Sequence, residues 1–300
     1  MVATRNIVVT AADEKYAALA LDLVQSLEPF RGKLEISIAC LDLGLEHPTL
    51  AKLAQAGVDV RRPEWQFRPH PKFSADRVYL ARAARPFIRD IFPGHAVYVW
   101  IDADAWVQHP VGLNWLIQAS RWTDIAAAPT VHRSYACSPS DIEWLWRRYT
   151  MGFGEVVAKK LMQQIYFNSG VYALPADSTV WKLYIERFQE ALDRWEGDFL
   201  SDQAVLNAVV QLDGPKFERL PATVNWICHL ARPRWNNASG FLVEPAMPFE
   251  PISIVHNTFN DKSMAIDIAA LDGSVVNTKM TFTDVQQLRA RTAMPRRSAT

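Results

Sequence analysis

The run Ala96-Val97-Tyr98-Val99-Trp100-Ile101, closed by Asp102-Ala103-Asp104, constrains the fold of this chain more than any other segment. An uninterrupted apolar run of this length suits a strand buried on both faces, as in a parallel sheet covered by helices. The two carboxylates then lie where the strand leaves the sheet. Ligands of open α/β sheets bind outside the carboxyl ends of the strands, and acids one residue apart suit the bridging of a hard divalent cation to a diphosphate. Taken alone, Asp-x-Asp is also an ordinary solvated turn. The buried strand before it is what favours a metal or partner for the paired charge.

The rest of the chain supplies the units such a sheet needs. Asn6-Ile7-Val8-Val9-Thr10 reads as a first strand, and Asp13 can cap a helix whose apolar face is Tyr16, Leu19, Ala20, Leu23, Val24 and Leu27. Alternation from Leu34 to Cys40 predicts a second strand, Pro48 to Ala56 a helix stopped by Gly57, and Val58-Asp59-Val60 the start of a third strand. A helix over Ala75 to Ile91, with Pro86 as a point of kinking, delivers the chain into the central strand. This alternation predicts a three-layer, mostly parallel α/β sheet. Beyond the acids it becomes irregular: a short strand over 124–128, helix over 140–162, a strand over 166–174, helices over 179–195 and 201–210, and a short strand Ser253-Ile254-Val255 ending at His256. Pro221 to Pro251, with Pro233, Pro245 and Pro248 between, reads as an ordered loop region covering a site. There is no internal repeat.

Composition removes several function classes. Lysine plus arginine and aspartate plus glutamate both number 32, so no global field draws nucleic acid or an acidic partner. Cys40, Cys137 and Cys228 are far apart and form no C-x-x-C, which speaks against a disulfide framework or a zinc site and fits a reducing cytosol. No apolar stretch reaches the roughly 18 residues of a membrane span, and Met1 to Arg5 lead straight into a strand, so neither a span nor a signal peptide is expected. The tail from Arg289 carries Arg291, Arg296 and Arg297 without an acid. It is expected to be disordered, a weak anchor for anionic lipid at the inner face of a membrane. Most of the 11 tryptophans are expected in the core, with one or two free to stack on a sugar face.

Five ordered pieces over residues 6 to 264 make the chain resemble a glycosyltransferase of the A-type nucleotide-sugar fold, most similar to family 8, that of lipopolysaccharide galactosyltransferases and glycogenin. The first is Val9 to Tyr16, similar to the family's opening strand and nucleotide loop. By that resemblance Ala11 and Ala12 let backbone approach the nucleotide, Asp13 meets base or ribose, and Tyr16 stacks on the base. The residues alone equally support a helix cap and a core tyrosine. The second is the helix before the central strand, where the family places an arginine near the nucleotide; Arg82 and Arg85 are candidates and Lys72 a weaker one. The third is Asp102-Ala103-Asp104, which in the family grips metal and ribose. The fourth is Phe167-Asn168-Ser169-Gly170-Val171, beside sugar and acceptor; without the resemblance, Asn168-Ser169-Gly170 is an ordinary turn signal. The fifth is Ser201-Asp202-Gln203 with Asn207, meeting the donor sugar, followed by His256 as a metal ligand and Lys262 on the diphosphate. The family's glycine three residues past the histidine is Phe259 here, and Ser263-Met264 replaces its proline-tryptophan.

The resemblance implies a single catalytic domain over 1–275, with a nucleotide half (6–110) and a sugar and acceptor half (111–275), followed by a C-terminal extension over 276–300. It implies transfer of a hexose from a nucleotide diphosphate sugar, uridine-linked in the family, to a hydroxyl of a glycan, a lipid-linked saccharide or a lipopolysaccharide-type acceptor, with retention. Mn²⁺ or Mg²⁺ is the expected cofactor, the mixed histidine and carboxylate set favouring Mn²⁺. Gln203 is the candidate beside the anomeric carbon, while Asp202 and Asn168 orient the sugar. The tryptophan-rich region 100–146 and the loop 221–251 are the expected acceptor surfaces. Two other readings exist: a nucleotide-sugar binder with a decayed site, and a haloacid-dehalogenase-type phosphatase, which lacks here its early nucleophile and its later acid pair. A dehydrogenase is disfavoured because no G-x-G-x-x-G follows the first strand.

Overall fold

The computed structural model describes residues 6–68, 77–194 and 201–293; Lys72, Arg296 and Arg297 lie outside them. The elements in chain order are β1 (Asn6–Ala12), α1 (Ala17–Leu27), β2 (Ile36–Asp42), α2 (His47–Gln55), β3 (Asp59–Arg61), α3 (Arg77–Ala84), α4 (Ile88–Ile91) and β4 (Val97–Ile101). Then follow β5 (Ala105–Val107), α5 (Pro110–Ala119), β6 (Ile125–Pro129), α6 (Pro139–Phe153), α7 (Glu155–Met162), β7 (Phe167–Pro175), α8 (Val180–Arg194), α9 (Asp202–Ala208) and β8 (Phe217–Arg219). The chain closes with β9 (Trp226–Ile227), β10 (Arg234–Asn236), β11 (Phe241–Val243), β12 (Ile254–His256), β13 (Ile266–Ala269), β14 (Val275–Thr278) and α10 (Phe282–Ala293).

Among the described residues the main sheet has seven strands in the order β3-β2-β1-β4-β7-β6-β8. β1 is parallel to both β2 and β4, whereas β7 runs antiparallel to β4 and β6. The mostly parallel sheet is therefore as expected, with one reversed strand at its centre. Every residue of β4 is buried, as its unbroken apolar run requires. One layer of core under the sheet includes Trp100, Tyr172, Trp181 and Phe188, and the other includes Val8, Leu23, Val99 and Leu113.

Strand order reverses between β1 and β4, so their carboxyl ends frame the crevice where such sheets bind ligands. The register Val9↔Trp100 sets the loop after β1 beside the loop after β4. Just beyond β4, β5 pairs antiparallel with β12, which itself lies parallel to β9. The helix expected over 75–91 is interrupted at a 3-10 turn, Arg85–Phe87, because Pro86 has no N–H for a helical ladder.

A third core gathers Trp106, Trp226, Trp235, Val255, Ile268, Val285 and Leu288. The proline-rich segment belongs to this core and is an assembly of short strands. One expectation is corrected here: residues 289–293 are helical, not disordered. Val285 and Leu288 bury the apolar side of α10, and the Arg289 guanidinium donates to the Gly240 carbonyl at 2.8 Å while covering the Phe241 ring. Among the described residues no helix is long and apolar enough to cross a membrane.

Candidate active site

The site forms where three chain segments with no sequence proximity meet the exit of β4. Asp102 leaves the sheet with its backbone N–H donating to the Gly170 carbonyl at 2.8 Å, which ties it to β7. Asp104 lies one residue before β5, and the pairing His256↔Ala105 carries His256 to its side. His256 Nε2 lies 3.1 Å from Asp104 Oδ1 and 4.0 Å from Asp102 Oδ2. Ligand atoms of the three residues fall within 4.8 Å of one another. Two acceptor oxygens facing an imidazole nitrogen at this range require positive charge between them, as a proton or a metal ion.

The surroundings fit a cation. A Cβ on Gly170 would come within 2.3 Å of His256 Cε1 and 2.7 Å of Asp102 Oδ2, so only glycine lets β7 pass this close to the cluster. Burial alone would raise the Asp104 carboxyl, but His256 and Lys262 outweigh it and hold it below the usual carboxylate range. Lys262 Nζ is 2.7 Å from Asp104 Oδ2 and also donates to the Asn257 carbonyl. Two carboxylates and an imidazole suit Mn²⁺ or Mg²⁺.

A second charged cluster lies directly beneath. The buried Arg85 guanidinium donates to Asp102 Oδ1 at 2.6 Å, to Asp202 Oδ2 at 2.5 Å and to the Ser169 carbonyl at 3.2 Å, and lies over the Trp100 ring at 4.3 Å. Trp100 Nε1 also donates to Asp102 Oδ1, at 2.7 Å. Arg85 is therefore committed to protein carboxylates and does not reach outward; its neighbour Arg82 places Nε 3.5 Å from Asp202 Oδ1. Asp202 further accepts the Ser169 hydroxyl at 3.0 Å, so its carboxylate is paired within the wall of the site.

The remaining candidates divide by what they touch. Asp13 accepts the Tyr16 N–H at 3.1 Å and thereby caps the turn after β1, as expected. Tyr16 reaches toward the acids: burial, then the charges of Asp104, Asp13 and Asp102, push its phenol upward. Ala12 is buried and Ala11 is half-buried at the end of β1. Ala103 is buried between the two acids. Gln203 Oε1 accepts Asn168 Nδ2–H at 3.0 Å and the Ser169 N–H at 3.3 Å, which leaves the Gln203 NH₂ to offer the cleft. Asn207 is fully buried and clamps the Phe167 backbone through both its N–H and its carbonyl. Beside Gln203 and Asn168 opens a cavity of about 500 Å³, lined among others by Trp144, Tyr166, Ile227, His229 and Phe259.

One residue of the site escaped the sequence reading. Asn225, buried just before β9, places its Oδ1 2.9 Å from His256 Nδ1 and donates to Asn168 from its Nδ2. An asparagine inside the run Ala222-Thr223-Val224-Asn225-Trp226-Ile227 was the available signal, since a polar side chain in an apolar stretch must find partners when buried.

Solved structures share this architecture. The galactosyltransferase LgtC, in complex with donor and acceptor sugar analogs, matches over 97% of this chain and 98% of its own at a TM-score of 0.54 and 16% identity. The chain has the A-type glycosyltransferase fold. The bifunctional glycosyltransferase WbbM matches over 86% of this chain and 46% of its own, with a TM-score of 0.54 and 15% identity. GlyE, a glycosyltransferase of Streptococcus pneumoniae TIGR4, matches over 97% of this chain and 61% of its own, at a TM-score of 0.50 and 15% identity. Neither a protein-family profile nor a curated protein matches the sequence.

Proposed function

We propose that this chain is a metal-dependent glycosyltransferase that moves a hexose from a nucleotide diphosphate sugar, uridine-linked, to a hydroxyl of a glycan or lipid-linked saccharide with retention. The observation that carries this reading is the convergence of Asp102, Asp104 and His256 at the crevice between β1 and β4, with Gln203 and Asn168 facing an adjoining cavity. Asp102, Asp104 and His256 would hold Mn²⁺ or Mg²⁺, which when bound supplies Lewis-acid compensation of diphosphate charge. In the assigned halves, 6–110 takes the nucleotide and 111–275 the sugar and acceptor; 276–300 is the extension.

The chain's own residues do the following. Tyr16 offers its ring to the base, and Asp13 shapes the turn beside it. The Lys262 ammonium takes up negative charge on the leaving diphosphate. Gln203 offers an N–H to a sugar or leaving-group oxygen, because its carbonyl oxygen is occupied by two donors. An amide so held is a poor nucleophile, which supports same-face attack. The acceptor oxygen bonds to the anomeric carbon as the bond to phosphate breaks, and the departing phosphate oxygen takes the acceptor's proton. Asp202, locked by Arg85, sets the wall against which the donor sugar rests. Trp144 and His229 give the acceptor an aromatic and polar surface. Arg291, Arg296 and Arg297 offer a basic tail to an anionic membrane.

The test is release of nucleoside diphosphate from a panel of nucleotide sugars, with Mn²⁺ or with chelator, by the native chain and Asp104→Ala. Turnover of one donor that needs both metal and Asp104 is expected. Binding without turnover, in the presence of an acceptor panel, favours the decayed binder; no binding of any donor overturns the assignment.

A further inference from the structure

We infer that Asn225 is a positioning residue that fixes which nitrogen of His256 faces the metal ligands and joins the metal site to the sugar wall. The polarity of its amide is set by groups that cannot reverse. The backbone oxygen of Asn168 can only accept, and it lies 3.3 Å from one terminal atom of Asn225, which must therefore be Nδ2. The other terminal atom is then Oδ1, and it lies 2.9 Å from His256 Nδ1, which must donate. With the proton held on Nδ1, Nε2 is the nitrogen turned to Asp102 and Asp104, and it can offer its lone pair to a cation bound between them without giving up the bond to Asn225.

Fixed donors set the amide polarity in the other half of the site as well. The Gly170 N–H donates to Asn168 Oδ1 at 2.9 Å, so the Asn168 amide cannot be turned over. Asn225 Nδ2 reaches this same Oδ1 at 3.2 Å, and Asn168 Nδ2 donates onward to Gln203 Oε1. A directed row of amides, His256 to Asn225 to Asn168 to Gln203, thus connects the imidazole to the reaction cleft. Asn225 is buried and lies between residues 57 positions apart from it on one side and 31 on the other, so no local geometry replaces it.

This inference rests on the metal-dependent reading for its consequence in binding, but its structural content is testable without it. Asn225→Ala and Asn225→Asp are compared with the native chain in two measurements. Long-range ¹H–¹⁵N correlation of the metal-free protein reports whether His256 Nδ1 carries a proton. Calorimetric titration with Mn²⁺ alone reports affinity. The expected result is Nδ1–H in the native chain and in Asn225→Asp, which keeps an acceptor. Asn225→Ala is expected to show mixed or Nε2–H tautomers and Mn²⁺ binding about 10- to 100-fold weaker. An unchanged tautomer in Asn225→Ala, or Mn²⁺ affinity within about twofold of native, overturns the inference. If the native chain binds no Mn²⁺, the metal-dependent reading fails while the tautomer measurement still decides the role of Asn225. If Asn225→Ala does not fold, Asn225→Leu, close in size and without a polar atom, carries the same comparison.

Discussion

Two carboxylate centres share Asp102, and they differ in how their charge is balanced. On the inner side, Asp102 Oδ1 and Asp202 meet Arg85, Trp100 and Ser169 in an array whose carboxylate charge is paired within the protein. On the outer side, Asp102 Oδ2 and Asp104 face His256, and Lys262 pairs with only one of their oxygens. The inner cluster uses ionic chemistry to hold β4, β7, α9 and the Arg85 turn in register. The outer one leaves an electrostatic demand that a cation can meet. Charge satisfied by the protein is structural; charge left partly unsatisfied at a crevice is where function is expected.

Removing the inner counter-charge is expected to have the largest effect. Arg85→Met leaves two largely buried carboxylates without their guanidinium and is expected to lower stability by about 3–5 kcal/mol, read from urea unfolding, with loss of any donor turnover. Asp104→Ala acts on the outer centre alone. It is expected to reduce metal-dependent donor hydrolysis by more than about 100-fold while native-like circular dichroism and a cooperative melt persist. Loss of the fold in Asp104→Ala would erase the distinction between the two centres.

Gly170→Ala strikes the boundary between them. Its Cβ has no room beside His256 and Asp102, so overpacking is expected to cost about 1–3 kcal/mol and to weaken Mn²⁺ binding measured by calorimetry. A milder effect concerns pH. The Asp104 carboxyl is held below its unfolded value, which is about 3.9. Its contribution to stability is therefore complete above that value and lost as pH falls below it. Chemical denaturation from pH 6 to 3 is expected to fall more steeply for the native chain than for Asp104→Ala. Least of all, thiol labelling of the folded protein is expected to reach Cys137 and spare Cys40 and Cys228, which are buried. Burial pushes the Cys40 thiol up to about 12.

Legibility in the sequence followed the range of the interactions. The buried strand before Asp102, the cap by Asp13 and the break at Pro86 are local, and each lies where the pattern places it. His256 was reached through its place after a short strand and the resemblance, not through any local chemistry. Arg85 read as an arginine for the nucleotide, because nothing near it in the chain announces Asp202, 117 residues away. The place of Asn225 in an apolar run shows that it needs partners, but those partners, Asn168 and His256, lie on other strands.

By itself, the sequence determined the element types, the buried central strand and the acids at its exit, since hydrophobic periodicity, proline geometry and capping act within a few residues. Only the tertiary structure decided which oxygens of those acids face inward to Arg85 and which face His256. Pairing β5 with β12, and reversing β7 against β4, brings together donors and acceptors from distant segments, and hydrogen-bond polarity is settled only once those partners are within about 3 Å of one another.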